Sequence, residues 1–202
     1  MKQTKQLLQT TDSPTKKSRK RTNKALLDIV YIAFFTALIA VCSQICIPTP
    51  PNIPPVTLQT FAIFLAGGLL GWKRGTLSVV IYILLGIIGV PVFAQFSSGL
   101  GVLLGMTGGY IIGFVLTTFF TGLLCEKLGK KIWVLIVSMI GGLLLCYIFG
   151  TVWFMVVYGQ QVGPIGIWGA LTLCVFPFLL FDAGKIVVAT ILVNRLDKVI
   201  KL

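Results

Sequence analysis

Two runs of roughly fifty residues without a charged side chain, Gly75 to Cys125 and Ile132 to Phe181, dominate the pattern of this chain. A helix crossing the hydrocarbon core needs about twenty apolar residues, so each run has room for two spans and a break. In the first run the break is Gly89 to Tyr110, GVPVFAQFSSGLGVLLGMTGGY, where Pro91, Gln95, Ser97, Ser98 and closely spaced glycines interrupt helical patterning. Irregular backbone at membrane depth is tolerated where it lines a cavity, which predicts a partly re-entrant loop here. In the second run the break is Tyr158 to Gly166, YGQQVGPIG, a turn by its Gly and Pro content. Upstream, Ala25 to Ile47 is long enough to span, and Pro48 to Thr60 follows as an extended connector because its prolines cannot continue a helix. A short span from about Leu58 to Trp72 ends at Lys73 and Arg74, and the last span runs from about Trp168 to Val193. The pattern therefore predicts an all-α membrane protein with six transmembrane helices.

Charge orients those spans. Residues 1–24 are polar and strongly basic, with Asp12 as their one acid, and read as a disordered cytoplasmic tail ahead of a membrane domain over 25–202. A cleaved leader is the competing reading, since LIAVC at Leu38 to Cys42 resembles a lipoprotein cleavage box, but Val41 is large for such a site and the basic lead is long. With the N-terminus inside, the loops after spans two and four and the C-terminus lie inside as well, and they collect every Lys and Arg except Lys185. That is the positive-inside distribution. The three outer connectors carry no charge.

Composition agrees and narrows the chemistry. Of 202 residues, 56% are hydrophobic and 11% charged, where a soluble domain carries about a quarter charged residues. In so apolar a chain the net charge of +12 reports membrane orientation and anionic lipid headgroups, and no nucleic-acid partner is expected. The chain has no His, which removes the commonest general base and metal ligand; no metal site and no cofactor are implied. Cys42, Cys46, Cys125, Cys146 and Cys174 stand singly in apolar runs without CxxC spacing and read as small packing residues.

Asp182 and Lys185 are the exception to the apolar pattern, because both lie within the last span. Near the middle of a spanning helix each costs roughly 2.5 to 3.5 kcal/mol, so such residues face a cavity, a partner or a ligand. Their i, i+3 spacing puts both on one helix face. Two readings stand: the pair neutralises itself inside a helix bundle, or it serves a small solute that carries a carboxylate and a polar head. An intramembrane hydrolase would need Ser97 or Ser98 as nucleophile and Lys185 as base, but an acid one turn away is the wrong neighbour for a lysine base, and FSSGLG is not a recognisable nucleophile context. No enzymatic activity is expected. GGLLGWKRG lacks the GxxxxGK[ST] spacing of a phosphate-binding loop, so transport by this chain would draw its energy from elsewhere. On the first span Ala33 and Ala37 form a small-xxx-small pair that admits another helix, from the same bundle or from outside it.

The blocks PPVTLQTFAIFLAGGLLGWKRGTLSVVIYILLGIIGVPVFA, GLGVLLGMTGGYIIGF and PFLLFDAGK, in this order, resemble the BioY family, the biotin-binding S components of energy-coupling-factor (ECF) transporters. The resemblance covers the chain beyond the basic tail. It implies an ECF S-component-like bundle of six helices in a bacterial cell membrane that captures biotin from the outer side and releases it to the cytoplasm. The implied partners are a membrane coupling subunit and two ATPase subunits. It places Lys185 at the valerate carboxylate and Asp182 as a polar anchor in the same pocket. Gln95, after PVFA, becomes the candidate for the ureido group, Phe93 and Tyr110 for the bicyclic ring, and Gln59 a further candidate. Ala33 and Ala37 resemble the face that S components offer to the coupling subunit. Capture of another small vitamin is the neighbouring expectation. The family usually carries a small residue, often Gly, at the place of Phe181 and Pro at that of Met106.

Overall fold

The structure, a computed structural model, describes residues 14–49 and 53–200. Among them seven helices follow one another: α1 (Pro14–Gln44), α2 (Gln59–Ile87), α3 (Leu100–Leu104), α4 (Gly108–Leu128), α5 (Ile132–Gln161), α6 (Ile167–Cys174) and α7 (Phe176–Ile200). Among the described residues, 5 helices are long and apolar enough to cross a membrane, namely α1, α2, α4, α5 and α7. Of the expected tail, residues 1–13 lie outside the described residues, while the backbone of 14–23 is helical and forms the first part of α1.

The difference from six spans comes from α2, which is one helix only by name. At Gly71 the backbone takes φ 76° and ψ −175°, far from helical values, and a left-handed φ favours glycine. The chain reverses there. Gln59 Nε2 donates to the Tyr82 hydroxyl at 2.5 Å, although 23 residues of straight helix would hold them about 35 Å apart. A methyl group on Gly75 would lie 2.7 Å from the Ala66 carbonyl oxygen, so the two arms touch backbone to side just above the bend. Trp72 opens the second arm with an unpaired N–H, and Glu126 from the end of α4 accepts from it at 3.2 Å. A Cβ at residue 71 would overlap that carboxylate. Gly71→Ala is accordingly expected to destabilise the bundle by about 3 kcal/mol or more, read as a fall in Tm of roughly 10 °C in detergent.

The first arm of α2 is the centre of the bundle: Ala62 through Gly71 are all buried. Phe64 packs there with Leu135 and Met139 of α5 and Val193 of α7, while α4 lies against the same hairpin. Hydroxyls inside this packing are satisfied by helix carbonyls, as where Thr117 Oγ1 donates to Gly113 O at 3.0 Å and to Gly142 O at 2.9 Å. At one end the charges tie elements together. Arg74 pairs with Asp28 at 2.9 Å, and Lys130 pairs with Asp197 at 2.8 Å while donating to the Leu69 carbonyl at 3.1 Å, near the end of the first arm. The outward faces of α1, α5 and α7 carry exposed Leu, Ile, Val and Trp, the surface that lipid covers.

Several boundaries differ from the pattern reading. The first helix stops at Gln44, and Cys46–Ile47 (β1) pairs antiparallel with Val56–Thr57 (β2), so the Pro-rich connector closes on itself as a small hairpin. The Gly89 to Tyr110 break contains a 3-10 turn, Ala94–Phe96, and α3. Helix α5 runs on to Gln161, leaving 162–166 as the turn. The expected last span is divided at Val175, whose φ −123° and ψ −56° separate α6 from α7; Pro177 follows in the first turn of α7, where a missing N–H is tolerated.

Candidate functional site

A cavity of about 320 Å³ opens between the β1–β2 connector, the 93–107 segment and helices α2, α4, α5 and α7, within the size range of small-molecule sites. All six residues singled out for a ligand, Gln59, Phe93, Gln95, Tyr110, Asp182 and Lys185, line it. They arrive from four separate stretches of chain because the α2 reversal brings Gln59 beside the 93–97 loop, and α7 places the ion pair against Thr57 and Thr60.

The polar wall is a connected network. Lys185 Nζ donates to Asp182 Oδ1 at 2.7 Å, to Thr60 Oγ1 at 2.9 Å and to the Thr57 carbonyl at 2.7 Å. An ammonium has three donors, and these contacts occupy all three. Thr60 also donates to Asp182 Oδ1 at 2.8 Å, and Tyr147 donates to Asp182 Oδ2 at 2.5 Å. The pair is deeply buried, with side chains 10% (Lys185) and 2% (Asp182) exposed. So placed, two charges are tolerated because each has an opposite partner and further hydrogen bonds. Asp182 thus anchors the cation, and Lys185 reaches across to the connector.

Elsewhere the wall is largely aromatic and apolar, with Gln59, Gln95, Ser97 and Thr107 as its polar members. Phe93 is 1% exposed and meets Tyr82 edge to face, with centroids 5.6 Å apart. The Tyr110 hydroxyl lies 3.1 Å from Thr151 Oγ1. Gln59 commits its amide to protein contacts, accepting from Thr57 Oγ1 at 3.0 Å and donating to Tyr82, so it braces the hairpin while lining the cavity. Phe181 is 47% exposed on the outside of α7 and is not part of the wall. Ala33 and Ala37 lie apart from the cavity, in an apolar groove between α1 and the second arm of α2.

Sequence reasoning missed Tyr147, Thr60 and the Thr57 carbonyl. A Tyr and a Thr inside apolar helices carry no signal of their own, although a buried Asp requires donors and could have prompted a search for them. Tyr147→Phe keeps the ring and removes one donor to a carboxylate; it is expected to cost about 1.5 to 3 kcal/mol, a fall in Tm of roughly 5 °C. A Ser/Lys nucleophile pair is not assembled among the described residues: Ser97 Oγ donates to Ala94 O at 2.7 Å, and Lys185 has the partners named above. All five cysteines are free thiols, four of them buried.

A bundle of apolar helices enclosing a cavity with aromatic walls and one buried ion pair is a membrane protein with a small-molecule site. The chain belongs to the BioY family, whose sequence profile matches residues 13–202. It is 42% identical over 170 residues to a biotin transporter BioY of Thermotoga maritima, covering 84% of this chain and 95% of that protein. A probable biotin transporter BioY of Pyrococcus horikoshii is 40% identical over 170 residues, with 84% and 96% covered. Among solved structures, the S-component for biotin from an ECF-type ABC transporter superposes with a TM-score of 0.78 at 28% identity, covering 87% of this chain and 93% of that one.

Proposed function

We propose that this chain is the substrate-capture component of a biotin uptake system, binding biotin from the outer side of a bacterial membrane and releasing it to the cytoplasm. The observation that carries this reading is the convergence of a buried cation, a polar amide and two aromatic rings on one cavity, in a chain of this family. Biotin has matching parts: a carboxylate, a valerate chain, a sulfur-containing bicycle and a ureido group. Lys185 takes the carboxylate by exchanging the Thr57 carbonyl for a charged acceptor, which strengthens that hydrogen bond. Asp182 holds Lys185 in place, Gln95 meets the ureido group with a donor and an acceptor, and Phe93 and Tyr110 flank the bicycle.

Six crossings follow if each arm of α2 counts as one, and the fold-back at Gly71 supports that count. Lys and Arg then collect on the cytoplasmic side with both termini. Energy enters through a coupling subunit with two ATPases, docked on the Ala33 and Ala37 groove, where small side chains allow close helix approach. Uptake of labelled biotin in cells lacking their own biotin transporters tests this reading. Expression with an ECF module is expected to give saturable uptake that excess unlabelled biotin abolishes and other vitamins leave intact. Uptake no higher than in vector controls, from protein correctly inserted in the membrane, would overturn it.

A further inference from the structure

Two consecutive residues other than glycine, Gln95 (φ 58°) and Phe96 (φ 55°), occupy the left-handed region in the loop that rims the cavity. Side chains of L residues adopt that region rarely and at a cost, and such sites cluster where function needs a particular backbone. Packing of Phe96 does not account for the shape, since that side chain is 72% exposed. What spans the turn is Gln44, the last residue of α1. Its Nε2 donates to the Phe93 carbonyl at 3.0 Å, and its Oε1 accepts from the Phe96 N–H at 2.9 Å. One planar amide thus meets an acceptor and a donor on either side of Gln95. Beside it Ser43 Oγ lies 2.5 Å from the Val92 carbonyl oxygen. Inside the turn Phe93 N donates to Ser97 O at 3.1 Å. On the far side the Phe93 ring occupies the space over Gly86, where a methyl group would overlap it.

We propose that Gln44 is a positioning residue for the ligand pocket: it holds the Phe93–Phe96 turn in its left-handed form, so that Phe93 and Gln95 present their side chains to the cavity. The inference rests on the biotin-binding reading for its functional half and on the free protein for its structural half. It also makes α1 the shared support of the pocket rim and of the Ala33 and Ala37 groove.

Biotin binding and amide hydrogen exchange over 92–98, measured on the purified full chain in detergent, test the two halves together. Gln44→Ala removes the amide; Gln44→Glu keeps its size but turns a carboxylate oxygen toward the Phe93 carbonyl. Both are expected to weaken binding about tenfold, by the same factor for biotin and biotin methyl ester, because the ring end of the pocket is affected. Both should also speed exchange over 92–98 about tenfold in the absence of ligand. Phe96→Gly is expected to restore most of the affinity of Gln44→Ala, since glycine enters the left-handed region without support. In a Gln95→Ala background Gln44→Ala should cost clearly less than its roughly tenfold in wild type, the remainder acting through Phe93, as for residues acting through one another. Unchanged exchange in both Gln44 variants, or a binding loss that Phe96→Gly leaves in place and that adds in full to Gln95→Ala, would overturn the inference. Accelerated exchange in a wild-type background that binds no biotin would instead overturn the functional reading, with the dependence of the turn on Gln44 upheld.

Discussion

Lys185→Ala is expected to weaken biotin binding by about a hundredfold or more while affecting biotin methyl ester far less. The reason lies in what surrounds the cation. Among the described residues Lys185 is the one basic side chain on the cavity wall, and truncating one partner of a buried charged hydrogen bond costs about 2 to 5 kcal/mol. The ester presents an uncharged carbonyl and never makes the full interaction. Wild type should therefore prefer the acid, and the variant should lose or invert that preference, because Asp182 then faces the ligand without its counter-charge. Since the readout is a ratio of two ligands on the same protein, a partial loss of folded material does not alter it. Equal losses for both ligands would place the carboxylate elsewhere in the pocket.

Removal of the acid has the larger effect on stability. Asp182 receives hydrogen bonds from Lys185, Thr60 and Tyr147, linking α7 to the start of α2 and to α5. Asp182→Ala leaves a buried ammonium without its partner and two hydroxyls without their acceptor, which is expected to cost about 3 to 5 kcal/mol. The corresponding fall in Tm is roughly 10 °C or more. Asp182→Asn retains the shape and one acceptor but loses the charge, and should fall between wild type and alanine. Adding Lys185→Met to Asp182→Ala should recover part of the loss, because no uncompensated charge then remains. A double variant less stable than Asp182→Ala would mean that Lys185 contributes chiefly through Thr57 and Thr60.

The parts of this site that could be read in advance were those that break the apolar pattern. Asp182 and Lys185 stand out because nothing else in their span is charged, and the 89–110 break stands out through Pro, Ser and Gly. Both do line the cavity. Tyr147 and Thr60 were not legible, because a phenol or a hydroxyl in a spanning helix is ordinary until an acid is found beside it. Gln44 was hidden for a different reason: its role depends on a loop about fifty residues away, and its own surroundings in sequence are those of a helix end. In the fold, the apolar runs revealed the spans but not the manner of their joining. Gly67, Gly68, Gly71 and Gly75 look alike along the chain, and only the folded backbone, with its left-handed φ and the Glu126 carboxylate against residue 71, distinguishes the one that reverses from the others. At Val175 the break between α6 and α7 falls on a β-branched residue, with Pro177 as its sole local sign.

Direct titration of the purified wild-type protein with biotin, alongside the methyl ester and an unrelated vitamin of similar size, asks whether this chain is a biotin-binding protein. Saturable binding of one biotin per chain is expected, with weaker binding of the ester and none of the other vitamin. A folded, monodisperse protein that shows no saturable biotin binding, or that takes the unrelated vitamin equally well, would contradict it.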